Sequence, residues 1–95
     1  MSELVPFHGI HPIAACAGCG RVSWFESLPR AERVRVRAHT CECLATTYEL
    51  CAAGGLFFVR RTDRGYATPE VMESTWMTMR ETEVLWLRLV NGLAR

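Results

Sequence analysis

The sequence predicts an α+β fold: a small antiparallel β unit, an added hairpin and a C-terminal helix. Three observations predict it. Residues 33–38, Arg-Val-Arg-Val-Arg-Ala, alternate charged and apolar with the period of two that belongs to a half-buried strand. Two apolar runs, at 46–51 and 56–62, flank Ala53-Gly54-Gly55, a turn signal that closes a β-hairpin. Thr78 followed by Glu81 forms a capping-box pattern just before Val84, Leu85, Trp86, Leu87, Leu89, Val90 and Leu93. Positions 82, 85, 86, 89, 90 and 93 of that run share one helical face.

The remaining elements follow along the chain. Residues 1–15 contain Pro6, Gly9 and Pro12 and read as an irregular arm carrying His8 and His11. Residues 21–25, Arg-Val-Ser-Trp-Phe, read as a strand because β-branched and aromatic types fit a pleated surface. Pro29 marks a bend, and Ser27 offers a competing N-cap for a helix through Leu28, Ala31 and Val34. The run 56–59 is apolar on both faces, which places it centrally in its sheet. Residues 66–77 read two ways. Thr68-Pro69-Glu70 suits a helix start, and Ser74-Thr75-Trp76-Met77 suits an edge strand. The helix itself is expected at 79–91, with Gly92 as its terminator.

A chain of 95 residues holds one domain, and 49% hydrophobic with 22% charged residues is a globular composition. No apolar run approaches the roughly 18–20 residues that span a bilayer, and residues 84–90 are interrupted by Arg88. The opening Met1-Ser2-Glu3-Leu4 lacks the basic start of a secretory signal. The expected compartment is therefore the cytoplasm. All 11 positive charges are arginines, against ten acids. Residues 21–37 hold five of those arginines against Glu26 and Glu32. A net charge of +1 alone does not mark a nucleic-acid binder. The local excess does supply candidate phosphate or acidic-protein contacts at Arg30, Arg33, Arg35 and Arg37, joined by Arg60, Arg61 and Arg64.

The chemistry of the chain is expected at its cysteines. Cys16-Ala17-Gly18-Cys19 and Cys41-Glu42-Cys43 are separated by 21 residues. Tetrahedral Zn²⁺ takes four soft or borderline donors, and thiolates on two turns can supply them. The expected ligands are Cys16, Cys19, Cys41 and Cys43. His39 is a reserve ligand, and Cys51 is a third candidate on the second side. An iron–sulfur cluster would use the same four thiolates. A structural zinc fits a segment 13–47 that is poor in large aliphatic residues, because metal binding then contributes folding free energy.

Cys16-Ala17-Gly18-Cys19-Gly20 resembles a zinc knuckle, and residues 16–51 resemble the zinc-ribbon group of domains. In that group each half-site lies on a turn with a hairpin between. The one-residue gap of Cys41-Glu42-Cys43 departs from the two-residue spacing of that pattern. With the resemblance covering 16–51 as a zinc-ribbon-like unit, the residues themselves complete a single domain over 1–95: an irregular arm at 1–15, a hairpin and connecting segment at 46–77 and a C-terminal helix at 79–93.

No catalytic motif stands out: no serine lies in G-x-S-x-G, and Gly54-Gly55 is not followed by Lys-Ser/Thr. The expected function is a small zinc-binding interaction or regulatory module, not an enzyme, that contacts protein or nucleic acid. Val84 and Leu87 lie outside the main helical stripe, which points to a helix packed on two sides within the core or to a homodimer contact through the C-terminal helix. The rival is a thiol redox or metal-sensing switch using Cys16, Cys19 and Cys51.

Overall fold

Among the described residues, five strands form one antiparallel sheet, and a C-terminal helix packs on it; the class is α+β. The structure is a computed structural model and describes residues 10–28, 33–65 and 67–95. His8, Pro29, Arg30 and Ala31 lie outside the described residues. The strands are β1 (Phe25–Glu26), β2 (Arg35–His39), β3 (Thr46–Ala53), β4 (Leu56–Asp63) and β5 (Glu70–Glu73), followed by helix α1 (Met79–Val90). Their spatial order is β1-β5-β4-β3-β2, so β4 is central.

The β3–β4 hairpin is the frame. Its eight paired positions run from Ala53↔Leu56 at the turn to Thr46↔Asp63 at the open end. Gly54 and Gly55 have φ of +57° and +81°, the left-handed geometry that a two-residue hairpin turn needs and that glycine adopts without a Cβ penalty. Register then assigns faces. Tyr48, Leu50, Phe57, Val59 and Arg61 share one face, and Glu49, Cys51, Phe58 and Arg60 share the other.

Both faces are covered. On the first, Val59 packs with Trp86, Leu89 and Ala94, flanked by Trp24, Tyr48 and Leu50. On the second, Cys51, Ala53 and Phe58 pack with Val34 and Trp76. Trp76 lies flat on Phe58, centroids 4.6 Å apart and planes 3° apart. Its indole N–H donates to the buried Glu73 carboxylate at 2.9 Å, and Ser27 donates to the other oxygen at 3.3 Å.

Helix α1 starts where its capping box predicts. The Glu81 amide donates to Thr78 Oγ1 at 3.3 Å, and the Thr78 amide donates to the Glu81 carboxylate at 3.1 Å. Thr82, Trp86 and Leu89 are buried on the sheet side. A Schellman motif ends it: Leu93 N–H bonds Arg88 C=O at 2.8 Å, Gly92 N–H bonds Leu89 C=O at 3.2 Å, and Gly92 has φ +72°.

Three expectations need correction. Strand character at 21–25 is confined to Phe25–Glu26. The preceding amides are committed elsewhere: Gly20 N–H bonds Leu93 C=O and Val22 N–H bonds Arg95 C=O. The helix start at Thr68-Pro69-Glu70 is not used. Residues 70–73 pair with β4 from Asp63↔Glu70 to Arg60↔Glu73. The edge strand at 74–77 is likewise absent. Ser74 keeps its bonds to Val59 and Met77 bridges Phe57, but Trp76 leaves the ladder to cover Phe58.

Candidate metal centre

A loop joins β2 to β3, and its cysteines meet the arm there. Ile10 and Thr40 form a parallel bridge: Ile10 N–H reaches His39 C=O at 3.4 Å, and Cys41 N–H reaches Ile10 C=O at 2.8 Å. That bridge sets His11 beside the loop. Thr40 is fully buried and anchors the other side, its Oγ1 accepting from Tyr48 N–H at 2.9 Å. Residues 41–45 then turn back, with Arg64 donating to the carbonyls of Glu42 and Leu44.

The outcome is a three-donor group. One ligand atom from each of His11, Cys41 and Cys43 lies within 4.8 Å of the others. Cys43 Sγ is 3.7 Å from His11 Nε2, and Cys41 Sγ is 3.0 Å from Cys43 Sγ. With metal–sulfur bonds of about 2.3 Å and metal–nitrogen bonds of about 2.0–2.1 Å, a tetrahedral ion holds its ligand atoms about 3.5–3.8 Å apart. The sulfur–imidazole distance already matches that value. The two sulfurs must open by under about 1 Å, a side-chain rotation at the exposed Cys43. The donor set therefore fits a borderline-soft cation. The hydrogen bond with Cys41, and then burial, raises the Cys43 thiol above its ordinary value.

Of the four expected cysteine ligands, the structure brings Cys41 and Cys43 together and adds His11, which the sequence placed only on the arm. Cys16 and Cys19 stand outside this group. Their turn, with Cys19 N–H on Cys16 C=O at 3.2 Å and Gly18 at φ +78°, is held against the end of α1. Cys16 N–H bonds Gly92 C=O at 3.3 Å, and Cys16 Sγ faces the same oxygen at 3.7 Å. His39 turns its Nδ1 to Thr40 C=O at 3.0 Å and is not in the group. Cys51 is fully buried in the second core, where desolvation pushes its thiol up to about 11.

The expected arginines also separate. Arg33, Arg35 and Arg37 are exposed and line one groove of about 350 Å³ with the Gly54-Gly55 turn. None of the three has an ion-pair partner among the described residues. Arg60 pairs with Glu49 at 3.3 Å, Arg61 with Asp63 at 3.8 Å, and Arg64 braces the cysteine loop. Neither a family model, nor a curated protein, nor a solved structure matches this chain. No helix among the described residues is long and apolar enough to cross a membrane.

Proposed function

We propose that this protein is a small zinc-binding interaction or regulatory module, not an enzyme, whose metal is structural. The observation that carries the reading is the His11–Cys41–Cys43 group, which joins the amino-terminal arm to the sheet at the β2–β3 loop. Thiolate plus imidazole suits Zn²⁺ better than the hard cations, which take oxygen ligands. Three donors leave one corner of the tetrahedron. His8, three residues before His11 in the sequence, and His39 are the histidines to test there.

The partner we favour is nucleic acid, contacted in the cytoplasm through Arg33, Arg35 and Arg37. These three exposed guanidinium groups line a single groove, and none of the described residues that line it is acidic. Arg30, Arg60, Arg61 and Arg64 are secondary, since the last three already hold intramolecular partners. Val84 and Leu87, 56% and 59% exposed on α1, are the surface for a homodimer contact. The thiol-switch reading retains one supporting feature, the 3.0 Å approach of Cys41 and Cys43. It loses Cys51, because a buried thiol titrating near 11 is a poor nucleophile.

Native mass spectrometry with metal analysis tests the metal. One zinc per chain is expected, absent from the H11A and C41S/C43S variants and kept in C16S/C19S. A folded, metal-free wild type refutes the reading. The H8A and H39A variants identify the fourth ligand.

A further inference from the structure

A second concave site lies on the helix-covered face, at the open end of the β3–β4 hairpin. Its volume is about 380 Å³, and Arg21, Val22, Trp24, Thr46, Tyr48, Arg61, Asp63 and Arg95 line it. Register explains four of these: Thr46↔Asp63 and Tyr48↔Arg61 are paired positions on one face. The others arrive with segment 20–24, which is laced to the chain's end by the Gly20↔Ala94 bridge and the Val22–Arg95 hydrogen bond of 2.8 Å. Trp24 stacks beside Tyr48 at 6.0 Å and lies under the Arg61 guanidinium at 5.4 Å.

The charges do not cancel. Arg61 offsets Asp63, its partner at 3.8 Å. Arg21 and Arg95 are exposed and their guanidinium groups have no ion-pair partner among the described residues; with the terminal carboxylate on Arg95 counted, one positive charge is left over at the mouth. Burial holds the Tyr48 hydroxyl above its usual value, so at neutral pH it is an O–H donor. Trp24 Nε1 is buried with no hydrogen-bond partner among the described residues. A structural pocket would be expected to close such polar groups on one another; here charge and donors are left over.

We propose that this pocket binds the phosphate group of a small phosphate monoester, with Arg21 and Arg95 balancing its charge and Thr46 and Tyr48 donating to its oxygens. A phosphate monoester presents three acceptor oxygens and a charge of about −1.5 to −2 at pH 7, which suits charge-assisted hydrogen bonds from the Arg21 and Arg95 guanidinium groups. The volume lies at the low end of the roughly 300–1,000 Å³ range of small-molecule sites, which suits a small ligand in place of a polymer. None of His11, Cys41 or Cys43 lines the pocket, so the site does not depend on the metal reading.

The test is calorimetric titration of the full chain with inorganic phosphate, ribose 5-phosphate and succinate, with tryptophan emission followed in parallel. Saturable binding of ribose 5-phosphate is expected, stronger than that of succinate and accompanied by a change in emission. The R21Q/R95Q variant should weaken it by about tenfold or more, since removing one charge-assisted hydrogen bond is worth that much. The Y48F variant should weaken it several-fold, and R80Q, on the exposed side of α1 and outside the pocket, should leave it unchanged. Circular dichroism checks the fold of each variant; if R21Q/R95Q is unfolded, Y48F and T46V decide. Inorganic phosphate binding equal to that of ribose 5-phosphate overturns the monoester assignment. Absence of saturable binding, equal affinity for succinate, or equal weakening in R80Q overturns the site.

Discussion

At the scale of single residues, burial divides five chemically identical thiols. Cys16 and Cys43 are exposed, Cys19 is half-buried, and Cys41 and Cys51 are buried. Desolvation takes Cys51 from an ordinary value of 9.0 to about 11. The folded state therefore holds this proton more tightly than the unfolded state does. The resulting stability is fully present below about pH 9 and is lost as pH rises through about 11. Tyr48, also raised by burial, acts in the same alkaline direction. Denaturant melts between pH 8 and 11 should show falling stability for the wild type and a flatter profile for C51A. A thiol reagent at pH 8 should label Cys16 at once and Cys51 only after unfolding. Rapid labelling of Cys51 in the folded chain would restore it to the switch reading.

At the scale of elements, the helix is held by its ends as much as by its face. The Thr78–Glu81 box satisfies two amides that would otherwise lack partners. T78A should cost roughly 0.5–2 kcal/mol of stability, read from denaturant unfolding. The Glu81 carboxyl is held below its ordinary value by its two hydrogen bonds with Thr78. Its support is present above the unfolded carboxylate value and fades as pH falls through the lower folded one. At the other end, a Cβ on Gly92 would stand 2.6 Å from Ala14 C=O and 2.9 Å from Ile13 C=O, at a φ that side chains resist. G92A should therefore cost more than the roughly 1–2 kcal/mol of a left-handed residue alone. It should also loosen the arm, since Ile13 N–H bonds Val90 C=O and Cys16 N–H bonds Gly92 C=O. Hydrogen exchange at residues 13–20 in G92A checks this.

At the scale of the whole molecule, local signals were legible and long-range ones were not. The glycine-closed hairpin, the central place of β4 and the capped helix each follow from a short window of sequence, because turn φ, strand period and capping are local matters. Residues 70–73 were not decided by their own letters. Pro69 opens helices and precedes strands equally well, and the free edge of β4 settled the matter. The site divides the same way. Cys41 and Cys43 sit two apart and could be paired by eye. The approach of His11 depends on the Ile10–Thr40 bridge, which spans 30 positions and carries no motif. Cys16 and Cys19 look like ligands by spacing, yet their turn is held by backbone bonds to the far end of the chain.

The arginine groove makes a prediction at this scale too. Binding of single-stranded oligonucleotide should weaken steeply with salt. R33Q/R35Q/R37Q should lower both the affinity and the salt slope, by about 0.7 for each phosphate no longer neutralised. A salt-insensitive partner would point to the exposed residues of α1.

The central claim is that one cation joins the arm to the β2–β3 loop through His11, Cys41 and Cys43. X-ray absorption on the zinc-loaded chain tests it most directly, by counting the neighbours of the ion. Two sulfurs at about 2.3 Å together with nitrogen at about 2.0–2.1 Å are expected. Four sulfurs, which would require Cys16 and Cys19 to reach the ion, would contradict it, as would a chain that folds fully and takes up no metal.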